Sequence, residues 1–172
     1  MNKKTRNILI GVVAALVIGS CIFMFIISPV KVKSGNREMP DADGQTDEII
    51  HDMSIEQRFT NSTEDITEVA VVFNRAYYLY DEAEIVVELL NGNKVLAQNV
   101  INADDVPGDH RTYINIDNPI SGMVGKVLTL KIYTTSTAGT GLSLMMNSKA
   151  NESFLFGDKK INGTICFSIT GK

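Results

Sequence analysis

From Glu48 onward the chain is built of short runs in which apolar and polar side chains alternate, separated by Gly, Asn, Asp and Pro. A period of two sends successive side chains to opposite faces of a strand, so the pattern predicts antiparallel sheet with one dry and one wet face. The strands expected are EIIHDM, EQRFT, ITEVAVVFN, EIVVELL, KVLAQNVI, RTYINI, KVLTLKIYT, GLSLMMN and TICFSIT. So many short strands imply an all-β sandwich. Alternation also assigns the core: Val69, Val71 and Phe73 point one way, as do Leu128, Leu130 and Ile132 against outward Thr129 and Lys131. Leu142, Leu144 and Met146 repeat the arrangement, and so do Ile165, Phe167 and Ile169.

Two connections are readable. In EIVVELL-NGN-KVLAQNV, Asn91 and Gly92 tolerate the positive φ of a tight hairpin turn. ADDVPG, residues 103–108, breaks the alternation and predicts a short helical turn crossing to the other sheet, with Asp104 or Asp105 as its cap.

The N-terminal pattern is different in kind. Ile8 to Ile27 runs uncharged for 20 residues between Lys3, Lys4 and Arg6 on one side and Lys31 and Lys33 on the other. At about 1.5 Å per residue a helix of this length spans the roughly 30 Å hydrocarbon core of a bilayer. A cleaved signal peptide has a shorter apolar core, whereas this one continues through Ile22 to Ile27, so an uncleaved anchor is expected. Ile18-Gly19-Ser20-Cys21 resembles a lipoprotein box, which makes lipidation at Cys21 the alternative. The larger N-terminal cluster of positive charge predicts a cytoplasmic N-terminus and an extracellular C-terminal domain.

Pro29 ends the helix, and KVKSGNREMPDADGQTD follows without an apolar period. The expected organisation is a tail over 1–7, a transmembrane helix over 8–28, a flexible linker over 29–47 and a sandwich over 48–172. Gly11, Ala15 and Gly19 recur every four residues, a small-residue face on which a second helix could pack, from another copy or a polytopic protein.

Charge and cysteine content then narrow the function. Residues 1–47 carry +2 and residues 48–172 carry −6. An acidic domain repels nucleic acid and anionic lipid. Cys166 is the only cysteine of the domain, so it has no internal disulfide and no cysteine cluster for zinc or iron.

Catalytic signals are weak. His51 and His110 each neighbour an aspartate, Asp52 and Asp109, but no Gly-x-Ser-x-Gly elbow presents a nucleophile. The acidic pairs Glu64-Asp65, Asp81-Glu82 and Asp104-Asp105 read as solvated loops. Gly139-Thr-Gly141 is a turn, since a phosphate loop needs a Lys and a following helix. A structural calcium is conceivable at Asp104, Asp105 and Asp109, loop carboxylates of the kind that suit a hard cation.

Three of the five tyrosines fall in Asn74-Arg-Ala-Tyr-Tyr-Leu-Tyr-Asp-Glu82. Tyr77, Tyr78 and Tyr80 offer rings for the C–H face of a sugar, with Arg75 and Asp81 to fix hydroxyls. Equally, one or two of them could simply close the end of the sandwich.

Taken together, Gln57-Arg-Phe59, Val69-Ala-Val-Val-Phe73, Lys94-Val-Leu-Ala97, Ala103-Asp-Asp105, Gly125-Lys-Val-Leu-Thr-Leu130, Gly139 and Gly141, and Ile161-Asn-Gly163 resemble a jelly-roll module over residues 47–171. That module is similar to carbohydrate-binding domains, and recurs outside the membrane in bacterial polytopic proteins that handle cell-surface glycans. The resemblance implies a non-catalytic binding module for cell-envelope glycan, through the tyrosine loop or the sandwich face. With one helix instead of many, this chain could not itself hold glycosyl-transfer machinery. The alternative is an accessory subunit whose helix packs beside a polytopic glycan-processing or export protein. If the small-residue face mediates pairing, replacing Gly11 and Gly19 together by Ile abolishes self-association in a membrane two-hybrid assay; an unchanged signal refutes it.

Overall fold

The alternating runs do fold as strands. A computed structural model describes residues 34–75, 82–108, 110–137 and 139–171. The expected membrane segment, with Gly11, Ala15, Gly19 and Cys21, lies outside them, and no helix among the described residues is long and apolar enough to cross a membrane.

Among the described residues twelve strands form two antiparallel six-stranded sheets. The first holds β1 (Gly44–Gln45), β3 (Ile66–Arg75), β6 (Arg111–Ile120), β8 (Leu142–Asn147), β11 (Thr164–Ile165) and β12 (Phe167–Gly171). The second runs in the order β10 (Lys159–Asn162), β9 (Ser153–Phe156), β2 (Ser54–Thr60), β7 (Val127–Thr134), β4 (Glu84–Asn91), β5 (Lys94–Asn102). Four pairings nest inside one another: β4 with β5, β3 with β6, β2 with β7, and β1 with β8. The result is an all-β sandwich.

Every residue assigned inward by alternation is buried: Val69, Val71, Phe73, Leu128, Leu130, Ile132, Leu142, Leu144, Met146, Ile165, Phe167 and Ile169. Each large side chain removed from water contributes about 1.5–3 kcal/mol. Phe59 of β2 meets Phe167 of β12 edge to face across the two layers, ring centres 5.1 Å apart.

The hairpin between β4 and β5 closes as expected, with Gly92 alone taking the positive φ, 58°, while Asn91 stays in the ladder opposite Lys94. Ala103–Asp105 is a single 3₁₀ turn leading from the second sheet to the first. Its cap is Asn102, whose Oδ1 accepts from the Asp104 N–H at 3.0 Å, and not Asp104 or Asp105. Strand EIIHDM does not form: Ile49 is buried and its N–H reaches the Leu142 carbonyl at 2.8 Å, but Asp52 turns at φ 61°. The hairpin β9–β10 was not expected, because Phe154-Leu155-Phe156 is apolar throughout and Lys159-Lys160 is charged throughout. TICFSIT divides at Cys166, where the chain passes from β8 to β3: the Cys166 N–H donates to Met145 and its carbonyl accepts from Val72. Gly163, at φ 116°, admits that crossing, since a Cβ there would lie 2.5 Å from the Asn147 carbonyl oxygen.

The polar stretch 34–47, read from its composition as part of a flexible linker, is docked along the edge of the first sheet. Gly35 exchanges bonds with Ser62 and Thr63, Arg37 pairs with Ile169 through both backbone groups (3.0 and 3.1 Å), and the N–H groups of Asp43 and Thr46 reach the Met146 and Leu144 carbonyls. We call residues 34–49 the strap. It is fastened by backbone bonds and by side chains: Asn36 accepts from the Gly171 N–H, Asp43 from Ser148, Thr46 from the Leu144 N–H and Glu48 from the Gly141 N–H, and Arg37 adds a further set of contacts. The Arg37 guanidinium lies 4.3 Å from the centre of the Phe167 ring and 5.7 Å from that of Phe59. Its Nη2 donates to both Glu152 oxygens (3.2 and 3.0 Å) and to Thr164 Oγ1 (3.3 Å). Fully buried Gln57 completes the set, donating to Glu152 at 3.3 Å and accepting from the Thr164 hydroxyl at 3.2 Å.

Cys166, beside the strap, has its thiol pushed up to about 11 by burial and then by the negative charges of Asp43 and Asp41. It is therefore a protonated, inert thiol at neutral pH. Removing Arg37 deletes a cation–π contact and charge-assisted bonds worth about 2 kcal/mol together, or roughly 30-fold in the opening equilibrium. Arg37→Ala should accordingly raise the rate at which a thiol reagent modifies Cys166 by that factor; modification at the parent rate would show that the strap is not held there.

Candidate functional site

The sequence-designated ligand residues divide. Tyr77, Tyr78, Tyr80 and Asp81 lie outside the described residues, as does Asp109 of the acidic set. Arg75, at the end of β3, is engaged internally: its Nη1 donates to the carbonyls of Asp104 and Val106, both at 3.3 Å, and its Nη2 lies 3.9 Å from Asp104 Oδ1. Arg75 and Asp104 are thus brought together, one pinning the turn that carries the other. Among the described residues no group of three His, Cys, Asp or Glu side chains could hold a metal ion. His51 sits exposed in a turn, 3.3 Å from Asp52, and His110 is exposed in a bend. Gly139-Thr-Gly141 is a turn in which Thr140 is buried and donates to the Ile49 carbonyl.

The better-formed arrangement lies on the outward face of the second sheet. Register aligns side chains from successive strands into rows across it. One row reads Lys160, Leu155, Glu56, Lys131, Glu88, Gln98 from β10 to β5. The row beside it reads Ser54, Tyr133, Val86, Val100. At a strand spacing of about 4.8 Å, six strands span roughly 24 Å, the length of several sugar rings.

At the centre of this face Glu88 is only 9% exposed. Its Oε1 accepts from Gln98 Nε2 at 2.9 Å and from the Tyr133 hydroxyl at 3.2 Å. Lys131 Nζ stands 5.4 Å from the centre of the Tyr133 ring and 3.6 Å from Glu56 Oε1, which also accepts from Ser54. The Tyr133 ring is half-buried, Val86 is buried and Val100 is 52% exposed. The Tyr133 ring and exposed Val100 therefore supply apolar surface beside a row of oriented donors and acceptors. Such a face can bind and orient. Glu56 is charge-paired with Lys131.

Tyr133 was recoverable from the sequence, because in KVLTLKIYT it continues the outward positions of Thr129 and Lys131. Glu88 and Gln98 were not singled out, since which strand faces which is a long-range property that alternation does not reveal. The chain matches no protein-family model, no curated protein and no solved structure.

The Tyr133 phenol is held above its ordinary value of 10.0 by burial, then by the charge of Glu88 and the bond donated to it, with Gln98 acting in the opposite direction. The neutral phenol is the form the fold favours. Its stabilising contribution is complete below the unfolded value near about 10 and is lost as pH rises through the raised value. In an ultraviolet phenolate titration of the folded protein, Tyr133→Phe should remove a component titrating above the usual range, and Glu88→Gln should move that component down. A Tyr133 that titrates normally contradicts the contact.

Proposed function

We propose that this chain is a non-catalytic binding module for cell-envelope glycan, a jelly-roll sandwich carried outside a bacterial cell membrane on its N-terminal helix. The observation that carries the reading is the pairing of two rows on the second sheet: Tyr133, Val86 and Val100 beside Glu56, Lys131, Glu88 and Gln98. A sugar ring has an apolar C–H face and a hydroxyl rim, and the two rows match those two surfaces. Glu88 and Gln98 fix each other, so the polar row needs little ordering when a ligand arrives. The nested strand pairings support the jelly-roll assignment, which builds two sheets from such a rolled hairpin.

The accessory-subunit reading keeps its footing in the spacing of Gly11, Ala15 and Gly19, and it places the same sandwich beside a polytopic partner. The test that separates them uses the full chain in detergent micelles with insoluble wall polysaccharide. The binding reading expects retention on the polysaccharide, reduced about tenfold or more by Tyr133→Ala, the size expected for loss of one stacking and hydrogen-bonding aromatic. No retention of the parent chain, or equal retention of Tyr133→Ala, overturns it.

A further inference from the structure

Beyond that face, the seam between the sheets holds a groove of about 430 Å³, lined by Arg37, Arg58, Phe59, Thr60, Val127 and Glu152. It exists because β9 covers β2 only from Ile55 to Gln57, leaving Arg58, Phe59 and Thr60 without a neighbour strand on that side. Arg37 and Glu152 form one wall and neutralise each other. Arg37 is rigid there: Nη2 takes up Glu152 and Thr164, the plane rests against Phe167, and none of its described hydrogen bonds uses Nη1.

Arg58 stands exposed and makes no ion pair with another described residue. It also borders a second groove of about 250 Å³, shared with Lys160 and Glu56. The walls of the larger groove therefore carry one uncompensated positive charge, within a stretch, residues 34–172, whose net charge is −9. Val127, 57% exposed, adds an apolar surface, with buried Phe59 behind it in the lining.

From this we infer a second site, in which Arg58, backed by Arg37, receives the single anionic group of a sugar-sized ligand, a uronate carboxylate or a sugar phosphate. A guanidinium presents parallel donors in the geometry of either anion, and exposed Val127 takes the C–H face of the attached ring. The site extends the glycan reading to acidic polymers; Arg58 pairs with Thr129 and Tyr133 with Ser54, four residues along the same two strands, so the two sites are tested by separate variants.

The experiment is calorimetric titration of the full chain in micelles, at low salt, with glucuronate, glucose 1-phosphate, glucose and inorganic phosphate. At least one of the two anionic sugars should bind ten times or more tighter than glucose, and which one does so identifies the anion. Arg58→Gln should reduce that binding to the level of glucose, 0.5 M salt should weaken it, and Tyr133→Ala should leave it unchanged. Val127→Asp, which puts a negative charge at an exposed position in the groove, should abolish it without touching either arginine. Binding of inorganic phosphate as strong as that of the sugars, retention of binding in both groove variants with parent melting temperatures, or its loss in Tyr133→Ala overturns the inference.

Discussion

A partly buried polar seam, beside the apolar core, links both sheets, the loop before β9 and the strap. Gln57 is an inward residue of the second sheet, placed among side chains that are otherwise apolar, and an unpaired amide there would cost about 1–3 kcal/mol. Its partners come from the β8–β9 loop (Glu152) and the first sheet (Thr164), and Arg37 of the strap joins both. Satisfying one amide thus ties two sheets, one loop and the strap into a single arrangement. Phe59 and Phe167 frame it from either layer, giving the cation a face to lie on. Without the strap the Glu152 and Thr164 groups would lose the Arg37 donor that joins them.

Much of the sandwich was legible because burial on one face forces alternation, and alternation survives in the order of residues. The inward triplets of β3, β7, β8 and β11–β12 needed nothing else. Gly92 announced its hairpin because few residues tolerate its backbone angle. The strap was not legible. Its contacts are backbone bonds, which any residue can make, and polar side chains such as Asn36, Arg37, Asp43 and Glu48 that reach distant loops and strands, so its sequence carries no period. The β9–β10 hairpin was hidden for a related reason: Leu155, between two core phenylalanines, is apolar although it faces outward, and this erases the alternation.

The same distinction governs the candidate sites. Tyr133 lies on an outward position that period two reveals, but its meaning depends on Glu88, 45 residues away, and Gln98, which only register supplies. Arg75, which sequence places only in a tyrosine-rich stretch, also donates to the carbonyls of Asp104 and Val106, a contact that the fold alone reveals. In an antiparallel sandwich the wet faces are assembled from strands distant in the chain, so local composition points to loops while the ordered surface is built across strands.

The account rests on residues 34–49 being part of the folded domain and not a tether to it. Amide hydrogen exchange of the full chain measures this directly. The N–H groups of Arg37, Asp43, Thr46 and Ile49, each bonded to a carbonyl of β8 or β12, should be protected to the same degree as the amides of β12 itself. Exchange of those four at the rate of unstructured chain, with β12 still protected, would contradict it.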